Sequence, residues 1–144
     1  MNLTKALKLK KKLIKQAGEA YTRFRASNSH EVGVEPTYSA EKAYTDWTSL
    51  TNELIELKAK IHQANVPIVH KIFSLGELKS MVKQLRGVDT DSGKIRKRGY
   101  GTDELVEYKA YINTIERDML ITELEGKIET LQEEIESHNA LTKI

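Results

Sequence analysis

Lys94, Ile95, Arg96, Lys97, Arg98, Gly99, Tyr100 and Gly101 put four cations, one aromatic ring and two glycines into eight consecutive positions. Glycine lets backbone N–H groups approach an anion closely, while arginine and lysine supply charge-assisted hydrogen bonds to phosphate or carboxylate. Tyr100, between two glycines, is placed to stack on a base or another ring. Arg23 and Arg25, at the end of the first amphipathic stretch, are further cations able to join Lys94, Arg96, Lys97, Arg98 and Tyr100. The chemistry on offer is capture of an anionic, nucleotide-like ligand, and it names no reaction.

Other chemistry fails on spacing. Gly87 to Ile95 has the look of a P-loop, but five residues separate Gly87 from Gly93 where four are required, and Ile95 stands where the magnesium-binding hydroxyl belongs. Asp89, Asp91 and Gly93 hint at a calcium loop, yet the glycine comes too early and the closing glutamate is missing. His30, His62, His70 and His138 have no ligand spacing, so no metal is expected. Glu133, Glu134 and Glu136 read as a solvated helix face. No Gly-x-Ser-x-Gly elbow anchors a nucleophile. Neither an enzyme nor a cofactor is expected.

The elements that must position the basic run are helical. Charged residues make up 31% of the 144 and aromatics 6%, which describes narrow apolar seams. No apolar run approaches the roughly 20 residues of a membrane span. The lysine-interrupted start has no signal-peptide form, and a cytoplasmic location is the expectation. With no cysteine, disulfides and thiolate chemistry are excluded. Charge is polarised along the chain: residues 1–30 carry six lysines and two arginines against Glu19, and residues 116–144 carry eight acids against Arg117, Lys127 and Lys143. The basic first helix is therefore expected near the acidic last one, in the same subunit or a neighbouring one.

The fold class expected is mainly α: a bundle of long, coiled-coil-like antiparallel helices with a small two-stranded β element, in a single domain over residues 1–144. Leu3, Leu7, Ile14, Ala17, Tyr21 and Phe24, widened by Leu13 and Ala20, predict a helix over 3–26. Ser39 is the expected N-cap of a helix over 39–65, whose apolar positions 40, 43, 47, 50, 54, 57, 61 and 64 alternate steps of three and four. That helix, about 40 Å long at 1.5 Å per residue, needs a partner of similar length. After Pro67, Ile68 to Phe73 reads as a short extended segment, and the capping box Ser74 to Glu77 opens a helix over 74–86. Residues 87–103 are expected to form a basic loop. Residues 105–115 fit either a helix or a strand. The strand is favoured, pairing 106–112 with 68–73, before an Asn113 and Glu116 capping box starts a helix over 114–138.

This order of features resembles the septicolysin-type family of small bacterial and phage helical proteins. Ala6 and Leu7 carry the likeness, with Glu31 through Pro36, Ile61 to Asn65, Ser74, Leu75 and Glu77, Tyr100, and Ile135 to Asn139. The resemblance implies a helix-rich fold.

The leading functional expectation is a non-catalytic homo-oligomer that binds a phosphate-bearing small molecule. If phage-borne, it would sequester a nucleotide signal of host defence. The alternatives are a structural or protein-interaction module and, ranked last, a weak nucleic-acid binder. No membrane partner is expected.

Overall fold

The structure, a computed structural model, describes residues 1–99 and 102–144, with the backbone alone at Arg98, Thr102 and Asp103. In chain order it contains α1 (Leu3–Ser27), α2 (Ala40–Asn65), a 3-10 turn (Val66–Ile68), α3 (Val69–Arg86), β1 (Gly93–Gly99), β2 (Thr102–Tyr108) and α4 (Thr114–Leu141). The strands pair antiparallel in one two-stranded sheet. The fold is therefore mainly α with a small β element. The chain divides into two compact units, Met1–Ile68 with Glu136–Ile144, and Val69–Ile135.

In the first unit α1 and α2 form an antiparallel helical hairpin. Asn2 caps α1 by accepting from the Lys5 N–H at 3.0 Å, and Ser39 caps α2 by accepting from the Lys42 N–H at 3.2 Å. The α2 seam follows its sequence period: Ala43, Leu57 and Ile61 are buried, and residues 40, 47, 50, 54 and 64 are partly buried. The partner of similar length that this seam requires is α1.

The buried face of α1 is turned from the stripe its large residues suggest. Leu3, Ala6, Leu13, Ala17 and Ala20 are buried, whereas Ile14 and Tyr21 are exposed. The physical reason is steric. Alanines at the contact let the two helices approach closely, so the a/d heptad positions face inward and the larger side chains flank them. Leu3, Ala6, Leu13, Leu57 and Ile61 make the core, with Leu50, Leu54 and Ile144 packed against it. At the other end of the hairpin Phe24 stacks on Trp47 at 5.9 Å between ring centroids, and Tyr21 meets Trp47 at 5.1 Å.

Residues 1–3 meet residues 142–144 in this unit. Leu3 N–H donates to Thr142 O at 2.8 Å, and Ile144 N–H donates to Met1 O at 2.9 Å. His138 Nε2 lies 2.9 Å from Ala64 O and so holds the last turn of α4 to the end of α2, while its Nδ1 lies 3.2 Å from Thr142 Oγ1, just past its own helix. The basic first helix does meet part of the acidic last one here: Lys8, Lys11, Glu136 and Asn139 line one shallow groove.

In the second unit the expected extended segment at 68–73 is absent, because α3 begins at Val69 and not at Ser74. Pro67 lies in the 3-10 turn that leads into the helix, where its missing N–H costs nothing. Ile72, Leu75, Leu78, Val82 and Leu85 then fall on one face of α3. Ser74, expected as a cap, lies mid-helix with its Oγ 3.4 Å from His70 Nδ1. The α4 cap is as the sequence predicts, with Glu116 N–H donating to Asn113 Oδ1 at 2.9 Å. Ile121 is buried, and Leu124, Ile128, Leu131 and Ile135 are partly buried along the inner face of α4. Lys71 pairs with Glu134 at 2.7 Å, and Arg86 with Glu125 at 2.6 Å.

Ile61→Ala should lower unfolding stability by about 2–5 kcal/mol in chemical denaturation, the range for truncating a well-packed core side chain. His138→Ala should cost about 1–2 kcal/mol, because it leaves the Ala64 carbonyl without its partner.

Candidate functional site

Of the loop expected over 87–103, residues 93–99, with the four cations, are strand β1, and 102 and 103 open β2. The register pairs Lys94 with Glu107, Ile95 with Val106, Arg96 with Leu105, Lys97 with Glu104 and Arg98 with Asp103. Three of these pairs set opposite charges and the Ile95 and Val106 pair two apolar residues in register, and opposite-charge or apolar cross-strand pairs each contribute about 0.2–1 kcal/mol. The sequence signal was a mirror: cations at 94, 97 and 98 are matched by acids at 107, 104 and 103. The alternative pairing of 106–112 with 68–73 fails because 68–73 is helical and β2 ends at Tyr108.

Strand alternation divides the cations. Lys94 and Arg96 share one face, beside Leu105 and Glu107. Lys97 belongs to the other, with Ile95, Val106 and Tyr108. Arg98 is placed by its backbone alone, opposite Asp103. Tyr100, the proposed stacking ring, lies outside the described residues.

Lys97 Nζ lies over the Tyr108 ring, 5.1 Å from its centroid. The ammonium is held above its ordinary value of 10.5, first by polar contact with the Tyr108 hydroxyl and then by the charge of that same group. Among the described residues the enclosed hydroxyl has no hydrogen-bond partner, and the ammonium meets Tyr108 as a cation over its ring. A raised lysine value means that this contact is complete below the ordinary lysine range and is lost as pH climbs through the raised one.

Arg23 and Arg25 belong to the first unit, and the hairpin belongs to the second. Arg23 is engaged locally, its guanidinium carbon 6.0 Å from the centroid of the Tyr38 ring. Among the described residues, no three acids or histidines converge as metal ligands would. His70 contacts Ser74 and His138 is a helix clip.

The hairpin can present cations to an anion only against the acids beside them. Its four cations and the three acids Asp103, Glu104 and Glu107 nearly cancel. The Arg96 face combines an arginine and the 60% exposed Leu105 beside the register pair of Lys94 and Glu107. That is the composition of a protein-contact surface more than of a phosphate cradle, since arginine beside exposed apolar area is enriched at interfaces.

Glu104→Gln with Glu107→Gln should raise the affinity of this hairpin for a polyanion such as heparin, read as later elution in a salt gradient. It should also loosen the hairpin, read as faster amide exchange at Ile95 and Val106. No family model, curated protein or solved structure matches this chain.

Proposed function

We propose that this protein is a non-catalytic interaction module that assembles with copies of itself and contacts other molecules through its mixed-charge β-hairpin. The observation that carries this reading is the outer face of α4, where Ile115 is 72% exposed and Met119 68% exposed. These residues are one turn apart on a face that nothing in the second unit covers, and such apolar surface marks association sites. The α2 seam, the first reason to expect an oligomer, is already filled by α1; the argument for assembly passes to α4. No helix among the described residues is long and apolar enough to cross a membrane.

A second reading, capture of a nucleotide-like anion, is favoured by the placement of Lys94 and Arg96 on one face of β1. In a phage such a protein would sequester a phosphate-bearing defence signal. Under this reading the ligand bridges the cations of the hairpin in an oligomer, and the acids of β2 select against ligands too bulky to avoid them.

Native mass spectrometry at micromolar concentration tests both. The expected result is a discrete oligomer, and a monomer would refute self-assembly. Release of a phosphorylated, ultraviolet-absorbing compound on denaturation would make anion capture the leading function. In that case Lys94→Ala with Arg96→Ala should weaken its binding at least tenfold.

A further inference from the structure

Charge on α1 is arranged against the helix that carries it. Lys5, Lys8, Lys11, Lys12 and Lys15 are all exposed. At about 3.6 residues per turn they fall within about 120° of the helix circumference, opposite the buried Leu3, Ala6, Leu13, Ala17 and Ala20. This spacing makes like-charge neighbours of Lys5 and Lys8, of Lys8 with both Lys11 and Lys12, and of Lys15 with the same two, and each such pair destabilises a helix. Lys5 also stands in the first turn, where the helix dipole disfavours a cation and α1 has no acid. Relief within the first unit is slight. Lys15 lies 3.9 Å from Glu19. α4 contributes one acid to this unit, Glu136, which lines a groove with Lys8 and Lys11 and forms no ion pair with either. Among the described residues, Lys5, Lys8, Lys11 and Lys12 have no ion-pair partner. Local rules broken in this way, with no compensation inside the fold, are expected where a surface meets something outside it.

We infer that this lysine face of α1 binds double-stranded nucleic acid through its phosphate backbone, without reading sequence. From Lys5 to Lys15 the row spans about 15 Å at about 1.5 Å per residue. Duplex DNA carries about one negative charge per 1.7 Å of axis, so along that length it offers more phosphates than there are lysines. Lysine meets phosphate as a point charge, which fixes position on the duplex and carries no base information. Other anionic partners fit the face less well. From Thr4 to Thr22 it holds no apolar side chain to insert into a lipid surface. Protein interfaces, in turn, are depleted in lysine. Neither self-assembly nor the β-hairpin is needed for this contact.

Fluorescence anisotropy of the full chain with short labelled duplex DNA, at rising salt, tests it. The logarithm of the association constant should fall against the logarithm of salt concentration with a slope of about −4, the value for about four or five phosphates at about −0.9 each. Duplexes of unrelated sequence should give the same line. Lys5→Gln with Lys8→Gln and Lys12→Gln should weaken binding at least about tenfold and bring the slope to about −1.5. Circular dichroism should show the helix content kept, since these substitutions remove repulsion. Arginine at the same three positions should bind as the parent does. Lys58→Gln with Lys60→Gln, on α2, should leave the constant within about twofold, because those lysines lie off this face. No binding at low salt would overturn the inference, as would an equal loss in the Lys58 and Lys60 variant, which would mean diffuse attraction to the whole chain. Tighter binding to vesicles of phosphatidylserine and phosphatidylcholine than to the duplex would overturn it in favour of a lipid surface.

Discussion

Alanine at Ala6, Ala17 and Ala20 of α1, facing a seam that includes Ala43 of α2, lets two long helices approach until Leu3, Leu13, Leu57 and Ile61 interlock in the gaps. Close-packed apolar side chains of this kind are each worth about 1.5–3 kcal/mol. Because the contact uses small residues, the large ones of α1 are displaced to its flanks: Ile14 and Tyr21 are exposed for the same reason that the hairpin is tight. The terminal clip depends on the same pair, since Ile144 packs on its core and His138 bonds to the carbonyl at the end of α2.

The second unit is built differently. The inner faces of α3 and α4 carry leucine, isoleucine and valine with no alanine among them, and most of these residues are only partly buried. Bulky seams hold helices further apart. The ion pairs from Lys71 to Glu134 and from Arg86 to Glu125 are solvent-exposed, and such pairs contribute little. The β-hairpin holds its register through mirrored charges and the Ile95 and Val106 pair. With so little apolar area enclosed, this unit is the part of the chain that gains most from a covering surface.

Periodicity was legible wherever it was long. The α2 seam and the Ser39 and Asn113 caps follow the sequence residue by residue. Short-range signals yield to longer patterns. Ser74 and Glu77 have the form of a capping box, but Ile72, Leu75, Leu78 and Val82 fit one helix face, and a continuous face outweighs an internal cap. For α1, hydrophobicity alone favoured Ile14 and Tyr21, while the closeness permitted by Ala17 and Ala20 decided the contact. The basic run has the composition of a loop because its cations conceal the strand: Arg96 and Lys97 are no guide to a strand until Leu105 and Glu104 are set opposite them. The candidate site was therefore legible as composition and missed as geometry, since the mirrored pairs of a hairpin can be recognised only when both strands are read together.

The bridge between Asn2 and Lys143 imposes an order of events on the chain. The α1 and α2 hairpin closes through neighbours in sequence, but the contact of Met1 with Ile144 joins residues 143 apart, and Leu3 meets Thr142 beside it. During synthesis these contacts form only after α2, α3 and α4 have emerged. The entropy of closing a loop grows only logarithmically with its length, about 0.6 kcal/mol for each doubling, so the wait is topological more than energetic. Until the final turn of α4 arrives, the first turn of α1 has helix and cap but no lid, and the nascent protein carries one finished helical hairpin with an open end.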